Sequence, residues 1–293
     1  MAVENVFENF SVKFSQDIMS KTAVVIVTHN SEKVLGPCLA ALAEQSVPAA
    51  FICLVDSGSS DVRYLETYAG KNDIYVLRQE NNIGFSRANN LGYGQIPDDV
   101  EYVLFLNPDV LLDPFFLEQA ERRMVNNQTL GIVTGRMLGY DFNMLKVTSR
   151  LDSTGLFRRW YGRWYDRGQG EENRGRYKEA EDIPASCGAL MFCRKAALKQ
   201  AVLAENVIFD PDFFLYKEDI ELSLRVRKSG WSIRYEPDLV AFHGRGWQKD
   251  RRNMSRELRI MAARNEILLY RKHPSSYILW ALAKYFLVAT FNV

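Results

Sequence analysis

Two places in this 293-residue chain put carboxylates where they could do chemistry. The first is Asn107-Pro108-Asp109, directly after the apolar run Tyr102-Val-Leu-Phe-Leu106. A carboxylate just past a buried strand, behind a helix-forbidding proline, stands at the rim of a sheet. Mg²⁺ or Mn²⁺ takes one or two protein carboxylates and completes its shell with phosphate oxygens and water. Asp109 is therefore enough to dock a nucleoside diphosphate. The competing reading is an Asn-Pro-Asp turn that caps the next helix. The second place is Glu218-Asp219, preceded by Phe213, Phe214 and Tyr216. Apolar neighbours raise a carboxyl pKa toward the range useful to a general base. Against this stands a solvated helix N-terminus, where acidic residues favour the dipole.

Other residues carry weaker signals. Asp56 ends a second apolar run, where it can accept hydrogen bonds from a base or ribose, or cap its own turn. Asn82, Gly84 and Arg87 can approach a ribose and diphosphate, Gly84 by leaving room for the backbone. His243, one of three histidines, follows an apolar run and suits a metal or a phosphate, or a satisfied place in the core. Arg245 and Trp247 offer an anion contact and a sugar platform, or simply packing.

The elements that must position these residues are legible. Ala23-Val-Val-Ile-Val-Thr28 is a continuous β-branched run, the mark of a strand buried on both faces. His29-Asn30-Ser31 is turn chemistry, with Ser31 expected to cap a helix carrying Val34, Leu35, Leu39 and Leu42. Phe51-Ile-Cys-Leu-Val55, Ile74-Tyr-Val-Leu77 and Tyr102–Leu106 read as further strands, with a helix through Asn90 before the last. Strand, turn and helix at this rhythm predict βαβ units and a parallel sheet. Ligands of such sheets lie beyond the strands' carboxyl ends, which here carry Thr28, His29, Asn30, Asp56, Asn107 and Asp109. Residues 140–182, rich in Arg, Gly, Trp and Tyr, read as long loops or a substrate-facing flap. Order returns at Ala185–Phe192, followed by a helix near Arg194–Leu198. A second helix is expected from Ile220 to Ser229, stopped by Gly230, and strands at Trp231–Tyr235 and Val240–His243.

Composition narrows the class. Apolar residues make up 47% and charged residues 25%, which is globular. Lys plus Arg (37) nearly balances Asp plus Glu (36), so binding of nucleic acid through bulk positive charge is excluded as an expectation. The four cysteines form no Cys-x-x-Cys pair and read as buried cytosolic thiols. Residues 1–20 lack the apolar core of a signal peptide. From Gly244 to Val293, ten Lys/Arg face three Asp/Glu, and Tyr277–Phe291 is apolar except for Lys284. That stretch is short of a membrane span but suits a helix lying among headgroups. The alternative is a helix packed on the domain or across a homodimer.

Taken in order, Thr28-His-Asn30, Asp56-Ser-Gly-Ser-Ser-Asp61, Asn82-Ile-Gly84-Phe-Ser-Arg87, Asn107-Pro-Asp109, Cys187-Gly188-Ala, Phe214-Leu-Tyr-Lys-Glu218-Asp219 and His243 resemble family 2 glycosyltransferases of the GT-A fold. The resemblance covers about residues 22–275. Leu151-Asp-Ser-Thr-Gly155, Asp166-Arg-Gly168, Gly230-Trp231, Pro237 and Arg264-Asn265 are most similar to the rhamnosyltransferase branch. It implies an α/β architecture with a Rossmann-like, mostly parallel central sheet flanked by helices, and amphipathic helices at the C-terminal end. Its four expected parts are an extension (1–20), a nucleotide-sugar-binding half (21–135), an acceptor-binding and catalytic half (136–245) and a basic, apolar helical region (246–293).

The resemblance also implies roles. Thr28, Asn30 and Asp56 match positions holding base and ribose, and Gly188 and Glu218 join the substrate-binding set. Asp109 matches the metal-binding carboxylate of the Asp-x-Asp motif, Asp219 the catalytic base, and His243 a histidine beside metal and diphosphate. Asn107 departs from that motif by removing one charge, and Asp56-Ser-Gly departs from the commoner second-strand turn. The implied activity is inverting, metal-assisted transfer of a sugar from a nucleoside diphosphate donor. L-Rhamnose from dTDP-rhamnose is the implied donor, and a glycan or a polyprenyl-diphosphate-linked lipid the acceptor. The expected place is the cytoplasmic face of the inner membrane. A UDP-linked hexose, GlcNAc or galactofuranose is the alternative donor, and a non-catalytic sugar-nucleotide-binding subunit the alternative class. A dehydrogenase is disfavoured because no Gly-x-Gly-x-x-Gly follows the first strand, and a nucleotidyltransferase because no glycine-rich, lysine-bearing loop does.

Overall fold

β-Branched residues on both sides of a strand demand cover on both faces, and the computed structural model supplies it. It describes residues 20–70, 74–244 and 254–291. The first half alternates β1 (Thr22–Thr28), α1 (Leu35–Ala43), β2 (Phe51–Ser57), α2 (Arg63–Glu66), β3 (Ile74–Gln79), α3 (Phe85–Tyr93) and β4 (Tyr102–Leu106). Next come β5 (Val110–Leu112), α4 (Phe116–Asn126), β6 (Leu130–Asp141), β7 (Lys146–Ser153), β8 (Leu156–Arg158), β9 (Trp164–Asp166) and β10 (Glu181–Asp182). The remainder is β11 (Leu190–Arg194), α5 (Lys195–Ala201), α6 (Glu218–Lys228), β12 (Ser232–His243), α7 (Arg256–Lys272) and α8 (Ile278–Phe291).

One sheet of ten strands runs in the order β10-β12-β6-β11-β4-β1-β2-β3, with β5 paired to β12 and β7 to β6. Strands β3, β2, β1 and β4 are parallel throughout. β11 then runs antiparallel between β4 and β6, while β6 and β12 are parallel to each other. Alternation sorts each strand's residues between the two faces. Val24, Ile26, Leu54 and Leu104 pack with Leu35, Leu39, Phe116 and Leu117 on one side. Val25, Val103, Phe105 and Met191 pack with Tyr93, Leu198, Leu222 and Val226 on the other. The buried thiols are part of this interior: Cys38, Cys53, Cys187 and Cys193 are all buried and reduced.

Three expectations are corrected here. The Ser31 side chain does not cap α1; its backbone carbonyl receives the N–H groups of Val34 and Leu35, while its hydroxyl turns back to His29. Residues 140–182 are not simply long loops. They hold the end of the β6–β7 hairpin and the separate β8–β9 hairpin, because aromatic and β-branched residues there find cross-strand partners. The two strands expected around Pro237 are one strand, β12, with a register irregularity between Glu236 and Val240 that absorbs the proline.

Helices α7 and α8 run antiparallel: Arg256 reaches the Ala289 carbonyl at one end, and buried Glu266 pairs with Lys284 farther along. Among the described residues, no helix is long and apolar enough to cross a membrane.

Candidate active site

The carboxyl ends of β1 and β2 lie in register, Thr28 opposite Asp56. Asp56 is fully buried, and its oxygens are already engaged. Thr28 Oγ1 donates at 3.1 Å, the Ser59 N–H at 3.0 Å, and the Ser59 and Tyr64 hydroxyls also reach it. Its visible work is to hold the turn after β2, the alternative weighed for it above. Asn30, with φ of 52°, stitches the neighbouring loop to that turn, its Oδ1 accepting the Ser60 N–H at 2.8 Å. Asn82 Oδ1 accepts from the Ser57 hydroxyl (3.1 Å) and the Gly84 N–H (3.0 Å). His29, Asn30, Asn82 and Arg87 are the members of this group exposed at the sheet's edge.

Gly84 requires a correction. It takes φ of 80°, and a Cβ there would sit 2.5 Å from the Phe214 carbonyl oxygen and 2.6 Å from its ring. The space it leaves is filled by the loop preceding α6, not by a ligand. The next N–H, that of Phe85, donates to the same Phe214 carbonyl at 2.8 Å. Asn90 continues the clamp, accepting from the N–H groups of Ile208 and Phe209 and donating to the Phe209 carbonyl. Helix α3, in the first half of the chain, thus fixes the loop that delivers Glu218 and Asp219.

That loop ends in strain. Tyr216 and Lys217 both have positive φ, 74° and 76°, which side-chain-bearing residues seldom adopt without compensation. The compensation comes from α7, where buried Asn265 donates from Nδ2 to the carbonyls of Leu215 (2.9 Å) and Tyr216 (3.0 Å). Two residues on, Asp219 sits in the first turn of α6. Its Oδ2 accepts the Gly188 N–H at 3.0 Å, and its Oδ1 the Ile220 N–H at 2.8 Å. A Cβ at Gly188 would lie 3.2 Å from the Asp219 Cβ, a tight approach that would press on that side chain. Burial raises the Asp219 pKa, the two backbone donors and Lys217 oppose it, and the charge of Asp166 adds to it. Glu218 is driven well above the usual carboxylate range by its own burial and by Asp219. Only 5% of Glu218 is exposed, and its Oε2 has no hydrogen-bond partner among the described residues. The pair therefore stands at a helix start largely withdrawn from water, Glu218 buried and Asp219 half-buried, and not at a solvated helix end.

The Asn107-Pro108-Asp109 turn is tied to the same place. The Asn107 N–H donates to the Ala189 carbonyl at 3.0 Å, one residue from the Gly188 that holds Asp219. β5 pairs with β12, setting Val110 opposite His243, and the Asp109 carbonyl accepts the Gly244 N–H at 2.8 Å. The His243 Nε2 lies 3.3 Å from Asp109 Oδ1, and its Nδ1 2.7 Å from Asp152 Oδ2. Burial disfavours the imidazolium, but the two carboxylates outweigh it and push the pKa up to about 9. An imidazole whose Nδ1–H is held by a carboxylate is oriented as metal-ligating histidines usually are. Asp109 is 27% exposed, whereas His243 and Asp152 are buried. Among the described residues no group of three or more metal-binding side chains gathers; Asp109 with His243 would leave most of an octahedral shell to phosphate oxygens and water, as Mg²⁺ and Mn²⁺ sites commonly do. Arg245 and Trp247 lie outside the described residues.

Sequence reasoning assigned no role to Asp152 or Asn265. Asp152 sits in a polar stretch whose burial only the β6–β7 hairpin creates. Asn265 did leave a signal: at helical spacing it falls on the inward stripe with Glu266 and Leu269, a polar residue facing the core.

The comparisons with known proteins concern the family and the fold. Residues 23–201 match the family model described as glycosyl transferase family 2. The low-salt glycan biosynthesis hexosyltransferase Agl10 of Haloferax volcanii is 23% identical over 224 residues, 75% of this chain and 66% of that protein. The chain thus spans just under two thirds of the length of this relative. Among solved structures, GalNAc-T7 with UDP, GalNAc and Mn²⁺ superposes with a TM-score of 0.63 at 15% identity, over 92% of this chain and 55% of that one. The mannosyltransferase PcManGT of Pyrobaculum calidifontis, with GDP-Man and Mn²⁺, gives 0.58 at 17%, over 94% and 71%. S. aureus TarS 1–349 gives 0.54 at 20%, over 94% and 74%. At these identities the structures speak for the fold alone. With a family match over most of its length and that fold around a carboxylate-lined sheet edge, the chain belongs to glycosyl transferase family 2, with a GT-A architecture.

Proposed function

We propose that this protein transfers a sugar, with inversion, from a nucleoside diphosphate donor to a hydroxyl of a glycan or a polyprenyl-diphosphate-linked acceptor. One observation carries the reading: the segment 187–189 holds Asp219 through the Gly188 N–H and the Asn107-Pro-Asp109 turn through the Ala189 carbonyl. Two carboxylates distant in the chain are thereby built into one edge of the sheet.

In this reading Asp219 is the base. It takes the acceptor's hydroxyl proton as the oxygen bonds to the anomeric carbon. The bond from that carbon to the diphosphate oxygen breaks, and the leaving group departs with the electron pair. His29, Asn30, Asn82 and Arg87 border the donor's nucleoside and ribose, with Thr28 and Asp56 shaping the turn beneath them. Asp109 and His243 would hold Mg²⁺ or Mn²⁺, which when bound neutralises charge on the diphosphate. Asp152 orients His243, and Asn107 supports the turn. Because the acceptor and the anomeric carbon are held in line, positioning supplies much of the remaining rate.

The donor we favour is dTDP-L-rhamnose, supported by resemblance in Leu151-Asp152-Ser-Thr-Gly155, Asp166-Arg-Gly168 and Arg264-Asn265, residues now seen around His243, Asp219 and the Tyr216 turn. A hexose donor is the second reading, favoured by the hexosyltransferase relative. The basic and apolar end, residues 246–293, attaches the protein to the cytoplasmic face of the inner membrane, close to a lipid-linked acceptor. Screening dTDP-rhamnose, UDP-sugars and GDP-mannose for nucleoside diphosphate release, with and without Mn²⁺, tests the assignment. Release from dTDP-rhamnose alone supports the favoured donor, and release from a UDP- or GDP-hexose replaces it. No release from any donor, with or without an acceptor lipid, rejects the transferase reading.

A further inference from the structure

Helix α8 buries Ala281 and Val288 against its neighbours and turns a different face outward. On that face Leu279 is 70% exposed, Phe286 61% and Phe291 64%. Beside its first turn stands the tip of the β8–β9 hairpin, where Trp160 is 86% exposed, the most exposed large apolar side chain among the described residues. The hairpin is fastened in place. The Gly162 carbonyl accepts from the Tyr270 hydroxyl on α7, and Gly162, at φ of 106°, lies so close to Tyr277 that a Cβ would come within 2.8 Å of it. Tyr161 packs edge-on against Trp280 of α8 with ring centroids 4.7 Å apart, and the Arg158 guanidinium lies 4.3 Å over the Tyr277 ring. Trp160 and the outer face of α8 therefore form one surface.

The charge on this surface has one sign. Leu156–Tyr165 contains Arg158, Arg159 and Arg163, all exposed, and no carboxylate. Tyr277–Phe291 contains no carboxylate either, and its Lys284 is already paired with buried Glu266. A second copy of the chain meeting this face across a two-fold axis would bring arginines against arginines with nothing to pair them. A bilayer rich in anionic lipid offers what the patch lacks. Tryptophan sits well at headgroup depth, the leucine and phenylalanine side chains enter the acyl boundary, and arginines meet phosphate.

We infer that the Trp160 hairpin and the outer face of α8 together make a docking surface for anionic membranes, with the hairpin as the second contact point that fixes how the protein sits. This rests on the membrane attachment proposed above for residues 246–293, and extends it to a segment more than a hundred residues before α8 in the chain.

Flotation of the full chain with vesicles of phosphatidylcholine, alone or with phosphatidylglycerol, tests the inference. The wild type should float with the anionic vesicles and stay behind with the neutral ones. The Arg159→Glu/Arg163→Glu double variant should lose binding at least about tenfold, given roughly fivefold per basic residue at such a surface. Trp160→Ser should lose it severalfold, and Phe286→Glu should weaken it as well. Quenching of tryptophan emission by brominated lipid should fall in Trp160→Phe. Nucleoside diphosphate release in free solution should be unchanged in all of these variants, which certifies their fold. If Phe286→Glu abolishes flotation while both hairpin changes bind like wild type, the hairpin's part is overturned and attachment through residues 246–293 stands. If the wild type does not float, both fall. A dimer in solution that Phe286→Glu dissolves, without vesicle binding, reassigns the face to a second copy and overturns the inference.

Discussion

The Gly188 N–H donates to Asp219 Oδ2 at 3.0 Å, and the carbonyl of the next residue, Ala189, accepts the Asn107 N–H. Consecutive residues of the turn just before β11 therefore hold the two acidic motifs, and they reach both because β11 runs antiparallel between β4 and β6. An antiparallel strand in the middle of the sheet thus leads out of the segment that joins the two motifs.

Replacing Asp219 with Asn keeps an oxygen for the Gly188 donor and removes the base. Donor affinity measured by calorimetry should stay within about twofold of wild type, while transfer falls by about 10²–10⁴. Turnover near wild type would remove Asp219 from its role.

The raised Asp219 pKa gives the reaction a pH dependence of defined sign. The base works ionised, so kcat/KM should fall as pH drops through the folded-state pKa, at a higher pH than for an ordinary aspartate. Asp166→Asn removes a neighbouring negative charge that raises that pKa and should move the acid limb to lower pH; Lys217→Met, which removes a cation that lowers it, should move the limb up. Stability carries the same linkage. A carboxyl whose pKa is higher in the folded than in the unfolded protein stabilises fully below the unfolded value, and that contribution is lost as pH rises through the folded one.

Asn265→Ala removes the amide donor that the half-buried carbonyls of Leu215 and Tyr216 share, at a cost of about 1–3 kcal/mol at most. The left-handed turn at Tyr216–Lys217 should relax and misplace Asp219. The expected kinetic result is a fall in kcat with little change in the donor KM. A fall confined to the thermal midpoint, with kcat intact, would mark Asn265 as purely structural.

Gly84→Ala puts a methyl group against Phe214 at a backbone angle that alanine resists. It should destabilise the protein by about 1–3 kcal/mol in urea unfolding and lower transfer as well, although Gly84 touches neither carboxylate.

Asp109→Ala should weaken donor binding in the presence of Mn²⁺ and leave metal-free binding little changed. Asp152→Asn keeps the side chain's size but weakens the orientation of His243, and should raise the Mn²⁺ requirement about 10–100-fold. Titration calorimetry with and without chelator reads both. Unaltered metal-dependent affinity in Asp109→Ala would count against that carboxylate as a ligand.

The continuous apolar runs Ala23–Thr28 and Phe51–Val55 dictated the parallel half of the sheet, because a strand without a polar face must be covered twice. The sequence also determined which carboxylates stand at strand ends and helix starts, since Pro108 stops any helix before Asp109 and Glu218-Asp219 open one. What tertiary structure alone decided is where those groups meet. The partner of His243 comes from Asp152, 91 residues earlier, and the clamp on the Tyr216 turn comes from Asn265, about 50 residues later. Gly84 looked like room for a ligand until the Phe214 loop was seen to fill it. Local propensity reports on φ, ψ and burial within a turn or two of helix; hydrogen bonds across such separations depend on strand order and register, which no window of residues contains.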